Sequence, residues 1–282
     1  MRELTLDTAF GRLAALRFGH GGTPVLALHG WLDNAASFVP IAPHLPGLDL
    51  VALDLPGHGA SAHLPVVAEY TLLAAARAAL AVADALGWSR FTLLGHSMGA
   101  ATATLLAAAA PARIERLALI EALGGLTEDE DRTAQRLREA FNVQAEPAGA
   151  RRRLFPDIAT AVRARLQVGG LGEAAARLIV ERGIAPAAGG SGLSWRSDPR
   201  LTRPTAVRMT EAQMRDVIAA IECPVRLVHA RPAFRFFPEA AREARVACLR
   251  NAQVVGIDGN HHLHMDEPAA VAAALGDFLR GG

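Results

Sequence analysis

Phe91-Thr92-Leu93-Leu94-Gly95-His96-Ser97-Met98-Gly99 runs directly into the Ala-rich stretch Ala100 to Ala109. The first four residues are a short apolar run of strand type, and the stretch from Met98 onward is of helix type. Between them stands a serine with glycines two positions to either side. A strand that turns sharply into a helix forces its middle residue into strained backbone angles and lifts that side chain clear of the sheet. Glycines at 95 and 99 leave room for this. The helix that follows aims its first amides at the same spot, where they can hold developing negative charge. In a loose glycine-rich loop the pattern would carry little; in this setting it points to Ser97 as a nucleophile.

The same rhythm continues outward on both sides. Val25 to Leu28 stops at His29-Gly30, Leu50 to Leu53 at Asp54, Arg116 to Ile120 at Glu121, and Val225 to His229 and Val254 to Ile257 repeat the plan. Gly11 to Phe18 also reads as a strand. Helix-like stretches lie at Leu72 to Leu86, Met98 to Ala109 and Ala269 to Leu279. Continuous apolar strands alternating with helices predict an α/β fold with a mostly parallel, doubly wound sheet. Ligands of such sheets collect where the strands end, so the residues just past each run carry the chemistry.

The rhythm breaks between residues 122 and 215. That segment has no clear buried strand and several weakly amphipathic stretches, with an interruption rich in small residues at Ala185 to Gly192. It reads as a helical cap inserted over the carboxyl edge of the sheet, with residues 1–121 and 216–282 forming the core. Its 15 Arg against 11 acidic residues could favour acidic substrates, although a solvated helical surface accounts for them as well.

Composition narrows the function classes. At 282 residues, 51% hydrophobic and 20% charged, the chain can bury a full core. A net charge of +1 offers no global field for nucleic acid or a membrane surface. All 29 basic residues are Arg, so Schiff-base and lysine-base chemistry have no side-chain amine to use. Cys223 and Cys248 lack metal-ligand spacing and read as buried thiols in a reducing compartment. With no apolar leader after Met1-Arg2-Glu3, and no apolar run of membrane-spanning length, the cytoplasm is the expected location.

A serine hydroxyl needs a base. Asp258-Gly259-Asn260-His261-His262-Leu263-His264-Met265 places three histidines just past the last strand. A tight loop there favours His261 or His262 over His264. Metal binding by this tract lacks a companion cluster in the sequence, and neither a metal nor a cofactor is expected.

Four motifs together resemble the α/β-hydrolase superfamily: His29-Gly30-Trp31-Leu32-Asp33-Asn34, Leu53 to Gly59, Gly95 to Gly99 and His261 to Pro268. Within it they are similar to the serine-hydrolase-like subgroup, as is Trp195-Arg196-Ser197-Asp198-Pro199-Arg200-Leu201. The resemblance implies that His261 is the base, since it stands three positions before a second His in the His-x-x-His-Met pattern. It also implies an oxyanion hole made of the Trp31 and Met98 backbone amides. The Trp31 side chain and His96 are expected to line the substrate site, and Asp54 and His58 to be structural.

The chain departs from the commonest pattern at the acid. The loop after Val225 to His229 reads Ala230-Arg231-Pro232-Ala233-Phe234-Arg235, with no carboxylate before Glu239. Arginine cannot orient an imidazole or stabilise an imidazolium. Glu121 is the leading replacement, because one branch of related enzymes draws its acid from the strand after the nucleophile helix; Asp33 and Asp258 are the others. The expected reaction is hydrolysis of a small-molecule carboxylic ester or thioester. Carbon–carbon bond hydrolysis, perhydrolysis and non-catalytic ligand binding on a hydrolase scaffold are the alternatives.

Overall fold

The computed structural model describes residues 1–144, 153–187 and 189–282. The chain opens with strands β1 (Arg2–Thr8), β2 (Gly11–Phe18), β3 (Thr23–Leu28) and β4 (Leu48–Leu53). Helix α1 (Leu72–Ala85), β5 (Phe91–His96), α2 (Met98–Ala109) and β6 (Ile114–Ile120) follow. The segment after β6 holds α3 (Thr133–Gln144), β7 (Leu154–Phe155), α4 (Ile158–Gln167), α5 (Glu173–Gly183), β8 (Ile184–Pro186), β9 (Leu193–Trp195) and α6 (Glu211–Ala219). The chain then returns through β10 (Val225–Arg231), α7 (Glu239–Val246), β11 (Ala252–Asp258), α8 (Leu263–Asp266) and α9 (Pro268–Arg280).

Eight strands form one sheet in the order β1-β2-β4-β3-β5-β6-β10-β11. β1 and β2 pair antiparallel, as do β2 and β4, while the ladders from β4 through β11 are parallel. The continuous apolar runs have a simple cause. Successive side chains on a strand point to opposite faces, and both faces of this sheet are covered. Leu26, Leu28, Val51 and Leu53 pack with α1 and α2 on one side. Their neighbours Val25, Ala27, Leu50 and Ala52 pack with Val271, Leu275 and Phe278 of α9 on the other.

Three features depart from the sequence reading. Arg2–Thr8 adds an edge strand whose burial alternates, paired along its whole length with β2. The inserted segment carries a small sheet, in the order β7-β9-β8. Its strands are two or three residues long, too short to leave a periodic signal, and they bracket the Ala185 to Gly192 stretch, of which residue 188 lies outside the described residues. Helix α6 straddles the boundary expected at 215/216, and buries Met214 and Ile218 in the core beside α2. Cys223 and Cys248 are free and half-buried, and burial pushes the Cys223 thiol up to about 11.

Candidate active site

Ser97 sits where β5 turns into α2, with φ 51° and ψ −114°. Its backbone N–H donates to the Ile120 carbonyl at 2.9 Å, which ties the turn to the end of β6. The flanking glycines are required by close approach. A Cβ on Gly95 would lie 2.5 Å from the Ala100 Cα, and one on Gly99 only 1.9 Å from the Leu28 carbonyl oxygen. The Ser97 side chain is thus held proud of the sheet at a partly open position.

His261 Nε2 lies 2.9 Å from Ser97 Oγ, and His261 Nδ1 lies 3.0 Å from Glu121 Oε2. Glu121 is 2% exposed and stands directly after β6 with φ 63°. Its other oxygen accepts the Ala230 backbone N–H at 2.5 Å. Strand β10, whose following loop has no carboxylate before Glu239, therefore supplies an amide to a carboxylate that stands just past β6. Of the three carboxylates weighed from the sequence, Glu121 alone is hydrogen-bonded to His261 among the described residues. Asp258 is largely exposed and pairs with Arg231 at 3.0 Å. Asp33 is buried and belongs to a different cluster.

Burial by itself would raise the Asp33 carboxyl, but His262 and Arg165 more than offset this and hold it well below the usual carboxylate range. Arg165 Nη2 donates to Oδ1 at 2.9 Å, and His262 Nε2 lies 3.1 Å from Oδ2. His262 Nδ1 meets the Gly170 carbonyl oxygen at 2.6 Å. His96 is 1% exposed, so it supports the site from beneath rather than lining a substrate pocket. Its Nε2 lies 2.8 Å from the His261 carbonyl oxygen, which can only accept, and burial among other histidines lowers it well below 6.5. Ligand atoms of Asp33, His96 and His262 fall within 4.8 Å of one another, a companion set for the histidine tract that the sequence did not reveal. Asp33 already engages Arg165 and His262, whereas His96 Nδ1, 3.9 Å from Asp33 Oδ2, has no hydrogen-bond partner among the described residues. His264 is fully buried, and neither of its ring nitrogens has a hydrogen-bond partner among the described residues.

Trp31 lies in the loop after β3, half-exposed, with its indole N–H donating to the Leu201 carbonyl at 3.0 Å. Leu32 beside it has φ 59°, so the three non-glycine residues at positive φ among the described residues, Leu32, Ser97 and Glu121, all stand past strand ends. Met98 opens α2, where the first amides have no acceptor within the helix. Asp54 and His58 hold the neighbouring turn. Asp54 accepts from the Ala35 and Ala60 amides at 2.7 and 2.8 Å, and the His58 ring packs edge-on against His29 at 4.9 Å.

Sequence reasoning missed two partners of the site. Phe234 stacks on His261 with ring centroids 3.9 Å apart and planes 21° from parallel. Its one signal in the sequence is its place in the loop after β10, at the carboxyl edge of the sheet. Arg165 lies 132 residues from Asp33 in the chain, and no local pattern links them.

A strained serine on a strand-to-helix turn, with histidine and carboxylate in line behind it on a mostly parallel sheet, defines the α/β-hydrolase class. The family model for the alpha/beta hydrolase fold matches residues 23–268. The chain belongs to that family and, within it, to the serine-hydrolase-like subgroup. It is 31% identical over 270 residues to a serine hydrolase-like protein of Dictyostelium discoideum, covering 90% of this chain and 74% of that one. It is 29% identical to a serine hydrolase-like protein of Danio rerio, covering 99% and 88%. The crystal structure of a hypothetical protein from Pseudomonas aeruginosa PAO1 is 42% identical, with a TM-score of 0.91 over 99% of both chains. A thioesterase domain from the curacin biosynthetic pathway is 28% identical, with a TM-score of 0.82 over 97% of this chain and 98% of that domain. Among the described residues, no helix is long and apolar enough to cross a membrane.

Proposed function

We propose that the chain is a serine hydrolase that cleaves a small-molecule carboxylic ester or thioester through an acyl-serine intermediate. The observation that carries this reading is the unbroken line Ser97 Oγ, His261 and Glu121, with steps of 2.9 and 3.0 Å. His261 Nε2 takes the Ser97 proton as the oxygen attacks the substrate carbonyl. Glu121 holds the imidazole in the correct tautomer and stabilises the imidazolium that forms. The Trp31 and Met98 amides hold the oxyanion of the tetrahedral intermediate. The leaving alcohol or thiol departs with the proton from His261, and water then attacks the acyl-serine with the same base.

Resemblance to a thioesterase domain favours an acyl carbonyl as the reacting group. The binding-protein alternative rests on the missing acid in the Arg231 loop, and Glu121 at 3.0 Å from His261 supports the enzyme reading over it.

The test is turnover of a short-to-long chain panel of p-nitrophenyl esters and acyl thioesters, comparing wild type with Ser97→Ala. Hydrolysis by wild type that disappears in Ser97→Ala is the expected result. Turnover that survives in Ser97→Ala would place the chemistry elsewhere, and ligand binding without turnover would favour the binding protein.

A further inference from the structure

One buried carboxylate joins three parts of the site. The Asp33 N–H donates to the Gly30 carbonyl at 3.1 Å, closing the turn that holds Trp31 and Leu32. Its Oδ1 accepts from Arg165, near the end of α4 in the inserted segment. Its Oδ2 faces His262, the neighbour of His261, and His262 Nδ1 reaches back to Gly170 in the turn between α4 and α5. These two ties to the inserted segment converge on Asp33, one directly through Arg165 and one through His262, alongside separate ones from Asn34 to the Ile179 carbonyl, Trp31 to the Leu201 carbonyl and the Gly172 amide to Asp266. Room for this is guarded by Gly30, whose Cβ would lie 2.9 Å from His96 Nδ1 and 3.0 Å from Asp33 Oδ2. His96 completes the cluster by supporting the His261 carbonyl.

We infer that Asp33, with Arg165 and His262, is a latch that fixes the inserted cap onto the two loops carrying the base and the oxyanion amide. The inference rests on the acyl-transfer reading of the site. Asp33, Arg165 and His262 act as positioning residues, since none of them touches Ser97 Oγ. Their separate attachments predict separable effects. Arg165 and His262 join the cap to the latch, so losing either loosens the cap over bound substrate and raises KM. The Asp33 carboxylate is the group that both partners hold, so its loss releases the turn carrying the Trp31 amide from both at once and lowers kcat as well. Misplacing a group by about 1 Å can cost roughly a hundredfold.

Two readouts on the full-length chain test this with Arg165→Ala, His262→Gln and Asp33→Asn. The first is amide hydrogen exchange across residues 158–172. The second is kcat and KM for the best p-nitrophenyl ester, with melting temperature as a check on folding. Arg165→Ala and His262→Gln should speed exchange in that segment and raise KM with little change in kcat. Asp33→Asn should also lower kcat, by roughly a hundredfold. Millimolar guanidinium should restore KM in Arg165→Ala and not in His262→Gln. The latch is overturned if exchange in the segment matches wild type in Arg165→Ala and His262→Gln, or if activity merely tracks the folded fraction. An inactive wild type would refute the hydrolase reading, and exchange alone would then decide whether the latch exists.

Discussion

Glu121 reaches His261 from the end of β6, and its second oxygen takes the Ala230 amide from β10, the strand whose following loop lacks an acid of its own. The relay is thus completed across two adjacent parallel strands, with β6 giving the charge and β10 giving the hydrogen bond that aims it. A buried carboxylate without partners would be costly, and this one has two.

Replacing Glu121 with Gln keeps the shape but presents the imidazole with a group that cannot stabilise its charge. We expect kcat for ester hydrolysis to fall by roughly ten-thousand-fold, as in comparable triads. Asp258→Asn should leave kcat unchanged, because that carboxylate is 86% exposed and faces Arg231. Steady-state rates of the two variants side by side make the check.

Gly99 has an ordinary backbone conformation, so its requirement is for space alone. A methyl group there would lie 1.9 Å from a backbone oxygen of β3, which cannot move without breaking the sheet. Gly99→Ala should lose most of the folded protein, or unfold at markedly lower temperature. Far-ultraviolet circular dichroism melts read this directly.

Acid should destabilise the fold through its buried histidines. Burial lowers His29 from 6.5 to about 4, and His58 and His264 to about 3. In that window the unfolded chain binds more protons than the folded one, so unfolding free energy falls as pH drops from 6.5 toward those values. The contribution is fully present above the unfolded value. His264→Leu should make the decline shallower, since its ring nitrogens have no hydrogen-bond partners among the described residues to lose and Phe38 lies beside it at 5.4 Å. Urea midpoints for both proteins over a range of pH would show the difference in slope.

Arg182 of α5 bonds the fully buried Asp54 and also the exposed Glu3. Removing the guanidinium strands a buried charge, whereas removing Glu3 frees a solvated one. Arg182→Ala should therefore cost about 3 kcal/mol of stability or more, and Glu3→Ala less than about 1 kcal/mol. Urea unfolding of the two variants distinguishes them.

The centre of the sheet was legible in the sequence because β3, β4, β5 and β6 are covered on both faces and so appear as short apolar runs ending at His29-Gly30, Asp54, Gly95 and Glu121. Arg2–Thr8 escaped because an edge strand alternates, and its polar positions leave no continuous apolar run. The small strands Leu154–Phe155, Ile184–Pro186 and Leu193–Trp195 are too short for any period. At the site, Ser97 was legible from local spacing, and His261 from the motif it shares with relatives. Glu121 could be named only as a candidate, since its pairing with His261 spans 140 residues. The Asp33 cluster was invisible for the same reason: Arg165, Gly170 and His262 meet only in the folded chain.

The most direct test of the account is labelling of the native protein by a fluorophosphonate, followed by intact mass and peptide mapping. Such probes need a serine made nucleophilic by its base, not merely an exposed hydroxyl. A single phosphonyl group is expected on Ser97, with slower labelling in Glu121→Gln and none in Ser97→Ala or in unfolded protein. Native protein left unlabelled, or labelled equally well in Ser97→Ala, would contradict it.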